Sequence, residues 1–170
     1  MKVVLYMAMS LNGMIAKSND NTSWVSKEEW DSYSLAVRTA KHMIVGRRTY
    51  NILTKQPEFA EFKDVKLIVV TKSNFKTLSN NHTIAHSPKE ALKMFKDAKE
   101  VIVAGGGILN HSFLRENLVD ELYIDIEPII LGEGIPLFKG EDFERNLELI
   151  GQKNISKNEV QLHYKVKKQT

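Results

Sequence analysis

Hydrophobic residues fall along this chain in short, nearly unbroken runs. Apolar stretches at 3–9, 42–45, 66–71, 100–104 and 121–127 are strand-length and mostly continuous, so they predict strands covered on both faces. Helices are predicted between and after them, at 26–40, 88–95 and 108–117. The first opens with Ser26-Lys27-Glu28-Glu29, a capping box in which Glu29 reaches back to the Ser26 N–H. The second opens with Ser87 as cap and Pro88 at the first helical position. Strand and helix alternate, which predicts an α/β fold around a largely parallel sheet. The C-terminal end breaks the pattern: 147–155 and 159–166 flank the turn Ser156-Lys157-Asn158, and this reads as an antiparallel hairpin added at one edge. There is no repeat, low-complexity tract or linker, and residues 1–170 are expected to form one domain.

Composition changes this picture little. The 170 residues are 42% hydrophobic and 26% charged, with a net charge of +3. The chain has no cysteine, which excludes disulfides and thiolate metal sites and fits a reducing compartment, so a cytoplasmic location is expected. The apolar N-terminus is too short for a signal peptide and gives way to polar Ser10-Leu11-Asn12-Gly13, and no segment approaches a membrane span. No basic stripe interleaved with aromatics argues for nucleic acid.

The candidate chemistry gathers at strand ends. Val101 to Ala104 runs into Gly105-Gly106-Gly107, with Ile108 and Leu109 opening a helix. Strand, glycine turn and helix start make an anion site where backbone can touch a phosphate without a Cβ in the way. The run has neither the Lys-Ser/Thr ending of a P-loop nor the spacing of a Rossmann fingerprint. Gly46-Arg47-Arg48-Thr49-Tyr50 ends a second strand with two guanidinium groups suited to phosphate, and Thr71-Lys72-Ser73 ends a third. In open α/β sheets ligands collect at such carboxyl ends. Ser10, Asn12 and Gly13 follow the first strand and lead to Trp24, a loop able to cover a flat ring. Among the nearby acids, Glu28 favours the helix N-terminus and Glu29 is claimed by the capping box. Asp31, beside Trp30, is left as the candidate to anchor a heterocycle's N–H edge and to handle a proton. The histidines at 42, 82, 86, 111 and 163 show no metal-ligand spacing, and no metal site is expected.

Several of these segments resemble the dihydrofolate-reductase-like superfamily. Ser10-Leu11-Asn12-Gly13-Met14-Ile15-Ala16 is similar to its SLDGxIA signature, and Trp24-Val25-Ser26 to its W-[IV]-[ST] element. Gly46-Arg47-Arg48-Thr49-Tyr50 resembles the GRxTY/W turn, and Gly105-Gly106-Gly107-Ile108-Leu109 the pyrophosphate-binding glycine motif. Leu118-Val119-Asp120-Glu121-Leu122 and the stretch from Pro128 to Phe138 match the LVDEL and PxxLGxGxxLF blocks. In particular the chain resembles the reductase domain of bacterial riboflavin-biosynthesis deaminase-reductases and its stand-alone relatives. The resemblance implies a mixed, mostly parallel sheet of about eight strands with flanking helices. It implies NADPH as hydride donor, with nicotinamide contacts from the backbone around Ala8, Ile15 and Ala16, and a homodimer. Two positions depart from the pattern. Asn12 stands where aspartate is usual, and 56–63 lacks the arginine of the DPxLTVR-like segment that helps bind a ribosyl phosphate. Counting back from the GRxT turn puts the pterin-binding acid on Trp30, one residue short of Asp31.

These readings converge on an NADPH-dependent reductase of a small heterocycle, most like 5-amino-6-(5-phosphoribosylamino)uracil reductase. Weak dihydrofolate reductase activity and non-catalytic binding of NADP or a pterin are the alternatives.

Overall fold

A computed structural model describes residues 1–168; Gln169 and Thr170, the last two of the expected 1–170 domain, lie outside the described residues. Its elements in chain order are β1 (Lys2–Ser10), β2 (Met14–Ala16), α1 (Lys27–Ala40), β3 (His42–Gly46), α2 (Arg47–Leu53), a 3-10 helix (Pro57–Phe62), β4 (Lys66–Val70), β5 (His82–Ala85), α3 (Pro88–Met94), β6 (Glu100–Val103), α4 (Gly107–Arg115), β7 (Glu121–Glu127), β8 (Ile135–Pro136), β9 (Leu147–Asn154) and β10 (Val160–Val166). Eight strands form one sheet in the order β5-β4-β3-β6-β1-β7-β10-β9, and β2 pairs with β8 in a small second sheet. All pairings from β5 to β7 are parallel, whereas β10 joins β7 and β9 antiparallel. The mixed, mostly parallel sheet and its C-terminal hairpin are as the sequence predicts. Elements that the sequence pattern does not predict are short: β2, β5, β8 and α2.

Side chains alternate across each strand, so one run feeds two cores. Val3 and Leu5 join Ile44, Ile68, Val101, Val103 and Phe113 on the face covered by α3 and α4. Val4 and Tyr6 join Val37, Met43, Val45, Leu67 and Ile102 on the face covered by α1 and α2. Residues such as Leu5, Ile44 and Val103 are fully buried. This explains why the central strands are apolar without a break.

Helix α1 starts where Ser26 Oγ accepts from the Glu29 N–H at 2.9 Å. It ends at Lys41, whose left-handed backbone (φ 59°) returns an N–H to Val37 O. Only half of the expected capping box forms. The Ser26 N–H donates to Glu127 Oε1 at 2.8 Å instead of to Glu29. Parallel pairing puts the carboxyl ends of β1, β3, β4, β6 and β7 along one edge of the sheet, where loops meet. Among the described residues no helix is long and apolar enough to cross a membrane.

Candidate functional site

The carboxyl edge carries two chemically opposite groups of residues. The first is built where β3 and β6 end side by side. Gly46 N donates to Gly105 O at 2.7 Å, which brings the Arg47 turn onto the glycine run. Gly105 has φ +86°, a backbone state that favours glycine, and an added Cβ would stand 3.0 Å from Met7 Sδ. A Cβ on Gly106 would lie 3.1 Å from Thr49 Oγ1 and 3.9 Å from Ile15 Cδ1, so Thr49, Ile15 and Gly106 face one space. Helix α4 begins on Gly107 with no side-chain cap on its first turn. This is the cradle expected of a phosphate site. Gly107 has a different reason to be glycine: a Cβ there would meet Pro136 O at 2.4 Å. Leu109 is buried in the core, so its side chain cannot line a cofactor, while Ile108 is exposed.

The cations divide. Arg47 Nη1 donates to Ser73 Oγ at 2.8 Å, and its guanidinium stacks 4.3 Å over the Phe75 ring. The Ser73 N–H donates to Thr71 Oγ1 at 3.3 Å, so the ends of β3 and β4 present one polar group with exposed Lys72 beside it. Arg48 turns the other way, its Nε 2.8 Å from Asp20 Oδ1 in the loop before α1. The structure therefore brings Arg47, Thr49, Thr71, Ser73 and Gly105–Gly107 together, and draws Arg48 aside. Phe75, the platform under Arg47, carries no motif that would have revealed it.

Three substrate-side expectations need correction. Ser10 is fully buried, donates to Asn12 Oδ1 at 2.8 Å and accepts from Met14 N at 3.0 Å. Asn12 in turn clasps Leu131, with Nδ2 donating to its carbonyl at 2.6 Å and Oδ1 accepting its N–H at 3.1 Å. Both residues brace the β1–β2 turn and have their polar atoms occupied. Asp31 is exposed and ion-paired with Lys27 at 2.6 Å, one turn back on α1. An acid there faces solvent because 31 falls on the outer side of the helix. Trp24 sits half-exposed, its Nε1 donating to Asn21 O at 3.2 Å.

The second group was not assembled from the sequence. In parallel register, Tyr6, Ala8 and Ser10 of β1 lie beside Tyr123, Asp125 and Glu127 of β7. Gln161 of β10 pairs with Asp125 across the next ladder. Alternation puts all of these on the face that α1 covers. Asp125 is buried, accepting from the Tyr6 hydroxyl and from Gln161 Nε2, each at 2.8 Å. Gln161 Nε2 also reaches Tyr6 Oη at 2.7 Å, and Ser32 Oγ lies 2.8 Å from the same hydroxyl. Burial pushes the Asp125 carboxyl up to about 6, against the hydrogen bonds from Gln161 and Tyr6 that favour its charge. Glu29, in the first turn of α1, is 5% exposed. Its carboxyl has no hydrogen-bond partner among the described residues. Burial first, then the charges of Asp125, Glu127 and Glu159, hold it well above the usual carboxylate range. Glu127 is raised by burial and by the Glu159 carboxyl lying against it, although the Ser26 N–H favours its charge. The recessed acid of α1 is thus Glu29, not Asp31. In the sequence the capping-box pattern masks Glu29, yet a one-residue gap opposite to the one that reaches Asp31 points to it.

An open cavity of about 440 Å³ between Lys17–Asn19 and Ile130–Glu133 includes none of these residues.

The RibD C-terminal domain family matches residues 1–161. The chain is 34% identical to the uncharacterised Bacillus subtilis protein YwjB over 96% of its own length and 97% of that protein's. It is 35% identical to the Escherichia coli dihydrofolate reductase type 1, over 75% of this chain and 78% of that one. Among solved structures, a pyrimidine reductase-like protein of Corynebacterium diphtheriae superposes with a TM-score of 0.75 at 17% identity, covering 99% of this chain and 92% of that one.

Proposed function

The chain belongs to the RibD C-terminal domain family, and from that premise we propose that it is an NADPH-dependent reductase of a small heterocyclic substrate. The observation that carries the reading is the junction of β3 and β6, where Arg47 and Thr49 meet a glycine turn with an uncapped helix start. A Cβ at Gly106 would crowd Thr49 and fill the space a pyrophosphate needs, so the residues present fit a dinucleotide. Gly105 to Gly107 and Thr49 would hold the pyrophosphate. Arg47, Lys72 and Ser73 would hold a ribose 2′-phosphate, which favours NADPH over NADH. The bound cofactor supplies a hydride. The chain's own part is to position the substrate, exclude water and manage one proton. Glu29 suits the last task. Burial and its acidic neighbours raise its carboxyl and so favour the protonated form, from which it can donate to a substrate nitrogen beside Ala8 and receive the proton back from water.

A dihydrofolate-type substrate is the second reading. It is favoured by the buried acid on α1 and by the identity to dihydrofolate reductase type 1. As a third part of the reading, the protein works as a homodimer, which the exposed Leu147, Leu149 and Ile150 on edge strand β9 support. The decisive experiment follows NADPH oxidation across a panel of pyrimidine, pteridine and phosphoribosyl-pyrimidine substrates. Turnover of any of them supports reductase function. NADPH binding without turnover of any would leave a binding protein.

A further inference from the structure

A second cavity lies behind the basic end, between helix α2 and the segment that joins β4 to β5. Its volume is about 310 Å³, at the lower end of the roughly 300–1,000 Å³ of small-molecule pockets. Tyr50, Phe75 and Leu78 give it aromatic and aliphatic surface. Lys55, just past α2, and Lys76, on the facing segment, add two ammonium groups. We propose that this cavity is an effector site for a flat aromatic monoanion, whose occupancy tightens the binding of a 2′-phosphorylated cofactor beside it. The coupling rests on the reading of the basic end as an NADPH site; the cavity itself does not.

Charge and apolar surface together set the class of ligand. Among the described residues that line the cavity none is acidic, and no salt bridge includes Lys55 or Lys76. Both lysines are exposed, so water serves them while the cavity is empty. Tyr50 is buried, and its ring meets Phe75 edge to face at 5.6 Å. Leu78 is 70% exposed, an aliphatic side chain kept in water beside those rings. Covering Leu78 and Phe75 removes apolar surface from water, which favours a flat hydrocarbon ring. A bare phosphate or a sugar would leave that surface wet. A neutral ring would leave both ammonium groups without a partner. An aromatic carboxylate serves the rings and the lysines at once.

Phe75 joins the cavity to the cofactor end. The Arg47 guanidinium lies 4.3 Å over the same ring, and its Nη1 donates to Ser73 Oγ on the same segment. Further along, the segment is pinned where the Leu78 N–H donates to the Tyr50 hydroxyl at 2.9 Å, with His82 Nδ1 also 2.9 Å from that oxygen. A ring laid against Phe75 and anchored on Lys76 fixes the stretch that presents Lys72 and Ser73 to a ribose 2′-phosphate. The ligand then favours the arrangement that binds this phosphate, and linkage makes the effect mutual. A cofactor without the 2′-phosphate gains nothing from it.

The test is calorimetry on the full-length protein, free, saturated with NADP+ or saturated with NAD+. The probes are 1-naphthoate and its neutral isostere 1-naphthamide, with inorganic phosphate titrated into the NADP+-saturated protein. Naphthoate should bind about fivefold or more tightly than naphthamide, the effect of two exposed charge pairs, and phosphate should not bind. Lys55→Gln and Lys76→Gln should each weaken naphthoate by about two- to fivefold. Leu78→Glu, which trades apolar surface for a like charge, should weaken it by roughly tenfold or more. All three positions are exposed, and the three variants cover the case in which one fails to fold. NADP+ should raise naphthoate affinity about fivefold, whereas NAD+ should leave it unchanged. Absent naphthoate binding, equal binding of naphthamide, binding of phosphate, or full affinity in all three variants overturns the site. Equal naphthoate affinity with and without NADP+ overturns the effector role. Should NADP+ itself fail to bind, the reductase reading falls, and the ratio of naphthoate to naphthamide affinity in the free protein still decides the cavity.

Discussion

The basic and acid groups at the carboxyl edge solve the problem of waiting for a ligand in opposite ways. At the basic end the binding atoms are backbone N–H groups and partly exposed cations. Arg47 leans on Phe75 and Ser73, and Lys72 stands in solvent. Water can serve these groups until an anion arrives, so the empty state costs little. At the acid end the groups are buried. Glu29, Asp125 and Glu159 have left water, and each charged carboxylate must be hydrogen-bonded, protonated or met by a cation. One end is a surface ready for charge. The other stores an unfavourable electrostatic state that a proton or a ligand relieves.

The comparison breaks first at Glu29. Glu29→Gln should lower turnover by about 10²–10⁴-fold, the usual effect of removing a general acid, while NADPH affinity stays unchanged by titration. Near-normal turnover would show that the acid end does no proton chemistry. At the basic end, Gly106→Val should weaken NADPH binding by roughly 100-fold or more, since it removes two or more charge-assisted hydrogen bonds. Its backbone (φ −84°) accepts a side chain, so cooperative thermal unfolding should persist. Normal affinity would make the glycines a turn and nothing else.

Asp125 sharpens the contrast through pH. Its carboxyl titrates at about 6 when folded and near 3.8 when unfolded, so the native state holds the proton more tightly in that window. Stability contributed by this group is therefore present at low pH and lost as pH rises through about 6. Relative to Asp125→Asn, the wild type should lose on the order of 1–3 kcal/mol between pH 4 and pH 7. Denaturant melts at both pH values measure it, and a wild type that gains stability relative to the variant would refute the assignment. Arg47→Ala should cut the preference for NADPH over NADH by roughly tenfold, one charge-assisted bond. Equal loss for both cofactors would place Arg47 away from the 2′-phosphate. The smallest effect belongs to Asp31→Asn, which removes an exposed i,i+4 ion pair worth about 0.3–0.5 kcal/mol. Turnover should be untouched, and a large fall would return the catalytic acid to Asp31.

The same contrast explains what could be read in advance. The central strands are legible because burial on both faces forces unbroken apolar runs. The basic end is legible because each part of it is contiguous: Gly46-Arg47, Thr71-Lys72-Ser73 and Gly105-Gly106-Gly107 are single turns at strand ends. The acid end draws its carboxyls from positions 29, 125, 127 and 159, which only the β1–β7–β10 register unites. One signal was available. In Tyr123-Ile124-Asp125-Ile126-Glu127, charge falls on alternate residues of a buried strand, marking a polar face where α1 was expected to pack. Ser10 and Asn12 misled for a related reason. Their hydroxyl and amide serve the β1–β2 turn, and local pattern does not separate a brace from a contact.

Glu127 belongs to both the acid end and the cap of α1, because its Oε1 holds the Ser26 amide. The helix is thus buttoned to the sheet by a carboxylate that belongs to the acid end. The rate at which the Ser26 amide trades its hydrogen for deuterium becomes a clock for occupancy of the acid end. A ligand that draws Glu127 away loosens the button and speeds the exchange, whereas one that settles on Glu29 alone leaves it slow. A single backbone amide, far from the glycine cradle in sequence, then reports which carboxyls a molecule has found.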